Sequence, residues 1–359
     1  MPPRLEALDF ERLAGWSEDD HLAALATFER SARALTAGQN GPRPARPASP
    51  ALIANADAAL AAAISDERDA RRFFETRFRP FRVIPASGAG FLTGYYEPCV
   101  PASTVETEEF RWPLLARPTD LVTFAAGQAP LGFPDGITGA RRLSDGSLVP
   151  YADRAAIERE RRDPIVWLSD AVEAFLVQVQ GSAQVEFAGG RRARLAYDGR
   201  NGLPYTSIGR ILIETGAIAE SAMSLASLKA WLRSDCKRGL ALMRRNRSFV
   251  FFKLVEDFDP KLGPVAGAGV ALTPLRSIAV DRAIWAYGLP FFIGADLPWA
   301  DDAPRPLRRL TIAQDTGSAI VGEARADLFF GSGDEAGARA GAIRHRGDFV
   351  VLMPRGDEP

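Results

Sequence analysis

Changes in the spacing of apolar residues divide this chain into its elements. Leu22, Leu25, Phe28 and Leu35 recur at helical spacing and stop near Gly38, which predicts a helix with Ser17 and Asp20 forming a capping box ahead of it. Residues 41–50, GPRPARPASP, read as a stiff proline-rich linker. The Ala-rich segment from Ala51 and the charged segment 66–78 predict two more helices, with Phe73 and Phe74 in the core.

From Phe81 the pattern is that of strands. GFLTGYYEP, residues 90–98, ends in two tyrosines that face opposite ways if extended, so one of Tyr95 and Tyr96 can be core while the other lines a groove; packing of both is the plainer alternative. Short strands follow near Leu114 and Leu121, then a helix over 151–162. In residues 175–187 Val177 and Val179 alternate with Gln178 and Gln180, which predicts a strand with two amides on one face. They are either solvated or paired against a polar, uncharged ligand. A turn at Asn201–Gly202, helices from near Ser207 and over 225–232, and a buried strand in 246–254 come next. Residues 263–293 read as short strands joined by Gly- and Pro-rich turns, in the manner of a β-barrel.

The candidate chemistry lies in residues 309–331. Leu310, Ile312 and Ala313 lead into Asp315; Thr316-Gly317-Ser318 turns; Ala319, Ile320 and Val321 resume an apolar run; and Asp327 opens the strand Leu328-Phe329-Phe330. Asp281, after Ile278-Ala279-Val280, sits in a similar context. Aspartates at strand ends also serve simply to bind backbone N–H groups. Asp-Thr-Gly-Ser after an apolar strand further matches aspartic peptidases, but a single chain of that kind needs a second Asp-Thr/Ser-Gly, and this sequence has none.

Composition narrows the classes. With 359 residues and 47% hydrophobic content, two domains with sizeable cores are expected. Lys and Arg number 44 against 45 Asp and Glu, so no net field draws the chain to nucleic acid, and no nucleic-acid partner is expected. No apolar run reaches the length of a membrane span, and the first residues lack the apolar core of a signal peptide. Cys99, Cys236, His21 and His345 lack metal-ligand spacing, so neither metal nor cofactor is expected.

GYYEP, VQVQGSA, YDGRNGLPYTSIGRILIETG, NRSFVFF, DTGSAIVGEARADLFFG and GDEAGARAG, in that order between residues 81 and 353, resemble the membrane-bound lytic murein transglycosylase A family. The last part also resembles the three-aspartate (3D) domain, with Asp281, Asp315 and Asp327 as its acids. The resemblance implies a mainly β fold with N-terminal helices: a double-psi β-barrel domain with a second, smaller β-barrel domain inserted into it. The expected division is 1–101 with 243–359 for the first and 102–242 for the insert, with a glycan groove between them. Cys99 and Cys236 would flank the insert and lie near each other, either paired in an oxidising compartment or as two buried thiols.

The resemblance places the catalytic acid on Asp327 with Asp315 its companion and Asp281 a supporting acid. Tyr95, Tyr96, Gln178, Gln180 and Asn201 become glycan-binding candidates. It implies a monomer acting on peptidoglycan strands in the periplasm, possible scaffold partners unidentified, with outer-membrane association open because the family's lipid-attachment cysteine is not found. The reaction implied is non-hydrolytic: Asp327 protonates the leaving oxygen, the C6 hydroxyl of N-acetylmuramic acid attacks its own anomeric carbon, and Asp327 takes up that proton. A neighbouring carboxylate and a partly apolar site would raise Asp327 from about 3.9 to about 6. The alternatives are an aspartic-type peptidase and a non-catalytic glycan-binding module.

Overall fold

The computed structural model describes residues 3–39, 41–86, 88–124, 127–301 and 303–358. They form two compact units, Met1–Tyr96 with Asp259–Gly331 and Glu335–Pro359, and Glu97–Phe258 with Ser332–Asp334.

The first unit is built on a closed six-stranded barrel. Around the ring the strands run Gly90–Glu97, Arg344–Pro354, Pro290–Leu297, Arg305–Asp315, Ser277–Val280 and Arg325–Ser332, the last returning to the first. The short strand Ser277–Val280 is parallel to Arg305–Asp315 and antiparallel to Arg325–Ser332, in the crossed connectivity of a double-psi barrel. Arg344–Pro354 pairs with Gly90–Glu97 through its first residues and with Phe78–Ile84 through its last. Alternation along these strands fills the core: Ile278, Ile293, Leu310, Ile312, Leu328 and Phe329 have no exposed surface.

Three helices, His21–Thr36, Pro50–Ala62 and Glu67–Arg77, belong to this unit. The first is capped by Asp20, whose side chain accepts from the Ala23 N–H, and not by the Ser17 box. Phe28 from that helix meets Phe73, Phe74 and Phe78 at centroid separations of 6.1, 6.1 and 5.9 Å. Polar anchors tie the helices to the barrel: the Gln314 amide donates to the Thr27 carbonyl and Ser31 hydroxyl, and buried Arg276 forks onto Asp19 at 2.7 and 2.9 Å.

The second unit also closes a ring of six strands, two of its seams being single bridges. Val250–Val255, Arg192–Arg200, Ser182–Phe187 and Cys99–Ala102 form one sheet. Ser103 bridges to Trp167 of Pro164–Leu168, that strand pairs with Trp112–Leu115, and Ala116 bridges back to Phe252. Val100, Leu114, Val166, Val185, Leu195 and Phe252 share its core. The strand Val250–Val255, grouped with the first domain on sequence, pairs with Arg192–Arg200 and so belongs here.

The Val-Gln-Val-Gln segment is not a strand. Ala171–Gln180 is a helix, because Asp170 caps it through the Val172 N–H and Gly181, at φ +84°, ends it in the left-handed conformation. Four alternating residues are too few to outweigh both caps, and Ala174 and Val177 of this helix pack into the barrel core.

Candidate active site

Asp315 and Asp327 lie on strands that flank the same short strand, and both are register partners of one residue, Ala279. The pairing with Arg305–Asp315 shifts register at this point, and the two carboxyls meet on one side of the sheet, where Thr93 and Tyr95, two residues apart on one strand, hydrogen-bond to Asp327 and Asp315 respectively. Alternation separates Asp315 from Gln314, which points to the helix His21–Thr36 and fixes the strand end. The two aspartate strands are not paired with each other; the short strand Ser277–Val280 lies between them.

Asp327 is partly buried. Its Oδ1 accepts a 2.6 Å hydrogen bond from the Thr93 hydroxyl, which itself accepts at 2.9 Å from Arg325 Nη2. Burial raises the Asp327 pKa from 3.8 to about 6 against the opposing effects of the Thr93 bond and Arg325; the charge of Asp315 adds a smaller upward push. Desolvation, more than the companion carboxylate, therefore keeps a proton on this acid. With Oδ1 held by Thr93, Oδ2 is the oxygen left to carry it.

Asp315 is 7% exposed and its two oxygens have separate partners. Oδ2 accepts from the Tyr95 hydroxyl at 3.1 Å, Oδ1 accepts from the Gly267 N–H at 2.9 Å, and Arg43 Nη1 stands 3.7 Å from Oδ1. Gly267 must be glycine: a Cβ there would meet the Tyr287 hydroxyl at 2.5 Å and Asp315 Oδ1 at 3.1 Å. Burial, then the charges of Asp315 and Asp327, hold the Tyr95 phenol well above its usual range, so it stays a donor. Asp281 shapes the neighbouring turn, accepting from the Ala283 and Gly322 N–H groups at 3.0 and 2.9 Å.

The tyrosine pair divides as alternation demands. Tyr95 turns its hydroxyl to Asp315 and its ring to Phe329, while Tyr96 is buried, its ring against the backbone of Gly337. Gln178, Gln180 and Asn201 lie in the second unit. Gln178 is 7% exposed, its Oε1 accepting from the Val250 N–H at 3.4 Å, and Gln180 is half-buried at the helix end. Asn201 has no exposed surface: its amide donates to the Ala152 and Arg247 carbonyls, and its Oδ1 accepts from Leu203 and Phe249 N–H groups. It ties backbone segments together and has no face left for a ligand. Cys99 and Cys236 are free, exposed thiols, neither paired nor buried.

Thr93, Arg325, Arg43, Gly267 and Tyr287 went unnoticed in the sequence. Two of them carried a signal: Thr93 is two residues before Tyr95 and Arg325 two before Asp327, so in strands each shares its neighbour's face.

The MltA specific insert domain matches residues 91–253, and the 3D domain matches residues 276–353. The crystal structure of a membrane-bound lytic murein transglycosylase from Agrobacterium tumefaciens superposes with a TM-score of 0.88 at 34% identity, covering 98% of each chain. A monoclinic crystal form of MltA from Neisseria gonorrhoeae gives a TM-score of 0.78 at 28% identity over 99% of this chain and 94% of the other. Membrane-bound lytic murein transglycosylase A of Escherichia coli K12 is 31% identical over 268 residues, 73% of this chain and 65% of its own, so this chain spans just under two thirds of that relative's length. With the barrel and its second unit matching these relatives, the chain belongs to the membrane-bound lytic murein transglycosylase A family and carries its 3D domain.

Proposed function

We propose that this protein is a peptidoglycan lytic transglycosylase. It cleaves the β-1,4 bond between N-acetylmuramic acid and N-acetylglucosamine and forms 1,6-anhydro-N-acetylmuramic acid. Asp327 acts first as acid and then as base. The observation that carries this reading is the asymmetry of the two carboxyls: Asp327 holds a proton up to about pH 6, while both oxygens of Asp315 already accept hydrogen bonds. Hydrolysis of a glycosidic bond needs a second carboxylate free to activate water or attack carbon. An intramolecular hydroxyl removes that need, because the sugar supplies its own pre-positioned nucleophile. Asp327 donates its proton to the leaving oxygen; the C6 oxygen bonds to the anomeric carbon; the C6 proton passes to the Asp327 carboxylate, restoring the acid. The Thr93 hydroxyl holds Oδ1 throughout. The charge of Asp315 favours the protonated acid before the step and the cationic sugar within it.

The substrate would be glycan strands of the cell wall, met in the periplasm; among the described residues no helix is long and apolar enough to cross a membrane. An aspartic-peptidase arrangement requires two carboxyls sharing one proton. Here Asp315 and Asp327 bond to different partners, Tyr95 and Gly267 for one and Thr93 for the other. Digestion of purified murein sacculi with mass analysis of the fragments tests the reading. Anhydro-ended glycan is expected; cut peptide would establish the peptidase, and intact sacculi the binding module.

A further inference from the structure

We infer that the proline-rich strap 41–46 is part of the catalytic unit and that Arg43 is a positioning residue, holding Asp315 and the turn that follows it in place opposite Asp327. This rests on the transglycosylase reading above.

A linker would be expected to hang free, yet this one is bonded along its length. The Arg43 N–H donates to the Gly267 carbonyl at 3.3 Å, the Tyr287 hydroxyl donates to the Arg43 carbonyl at 2.9 Å, and the Arg46 N–H donates to the Arg282 carbonyl at 2.9 Å. Gly41 is seated so closely on residues 267–269 that a Cβ there would lie 2.2 Å from the Gly267 oxygen. Pro42, Pro44 and Pro47 preset φ along the strap and lower the entropy cost of laying it down.

The strap converges on Asp315 by two routes. Its backbone holds Gly267, whose own N–H holds Asp315 Oδ1. The Arg43 side chain donates to the Thr316 carbonyl at 2.6 Å and places a cation 3.7 Å from that same Oδ1. Thr316 opens the turn after Asp315, so one guanidinium fixes both the carboxylate and its backbone. Residues 41–46 and 267 lie outside the two matched domains, 91–253 and 276–353. The site is therefore completed by residues those domains do not contain.

The charge has a consequence at Asp327. The groups facing that acid are Arg325 on its own strand, Asp315 and Tyr95. Arg43 offsets part of the negative charge of Asp315. Without it, Asp327 faces a less compensated carboxylate and its midpoint rises. A merely loosened site would admit water and let the midpoint fall.

The test is turnover of murein glycan strands against pH for wild type, Arg43→Met, Arg43→Lys and Tyr287→Phe, with thermal unfolding of each. Arg43→Met is expected to lower kcat about tenfold with KM within about twofold. Its alkaline limb should move up by about half a pH unit or more, in a protein that still unfolds in one cooperative transition. Arg43→Lys should return the limb but only part of kcat, because an ammonium lacks the planar fork. Tyr287→Phe, which removes one of the strap's bonds without removing its charge, should lower kcat and leave the limb in place. A limb that stays or falls in Arg43→Met, or kcat within about twofold of wild type, overturns the inference alone. A wild type that leaves murein uncut sinks the underlying reading and the inference together.

Discussion

Asp327→Asn should make the protein more stable while stopping its chemistry, and the size of the gain follows from the site. Asp327 sits at about 6 instead of 3.8. At about 1.36 kcal/mol per unit, ionising this group in the folded state costs up to about 3 kcal/mol, or about 2–3 with allowance for its partial exposure. The folded state binds the proton more tightly than the unfolded chain. The penalty is therefore absent below about pH 4, grows between about pH 4 and 6, and is complete above. Asn keeps the shape and the oxygen that accepts from Thr93 but has no charge to bury. Denaturant unfolding near pH 4 and near pH 7.5 measures it: the variant is expected to match wild type at the lower pH and exceed it by about 2 kcal/mol at the higher. Turnover should fall by about 10² to 10⁴. A variant no more stable than wild type at the higher pH, or one retaining turnover within a few-fold, would refute the reasoning.

Thr93→Val removes the bond that favours ionised Asp327, so the alkaline limb of turnover should rise from about pH 6 by about one unit, read from a pH–kcat profile. Asn201→Leu leaves the Leu203 and Phe249 N–H groups without their buried acceptor and the Ala152 carbonyl without its donor, and should destabilise the second unit by about 2 kcal/mol or more in urea unfolding. Thiol titration without reductant should count two free cysteines, with Cys99 the slower, because desolvation of its sulfur by neighbouring atoms and then the charge of Glu97 push this surface thiol up to about 11.

The strands around Asp315 and Asp327 were legible because they rest on local pattern, whereas the double-psi barrel came only with the family resemblance. Apolar alternation around Asp315 and Asp327 marks strands whether or not their partners are known; that the acids share a face with Thr93 and Tyr95 is decided by the fold. What failed was decided at element ends or across the chain. The helix Ala171–Gln180 is announced by Asp170 and Gly181, not by the alternation between them. Asn201 enters as a glycan-binding candidate through the family resemblance alone; its burial depends on carbonyls from residues 152 and 247, which only the fold supplies. Arg43 left no local trace, since its neighbours in sequence read as a linker and its partner Thr316 is 273 positions away.

The central claim is that the sugar's own hydroxyl, and not water, attacks the anomeric carbon. Digestion of murein in ¹⁸O-labelled water measures this directly at the new chain ends. A single acid with its companion carboxylate already engaged predicts unlabelled 1,6-anhydro-N-acetylmuramic acid and no reducing group. Either two-carboxylate route would deliver the anomeric oxygen from water. Labelled reducing ends as the main early product would contradict the account and make Asp315 a catalytic partner.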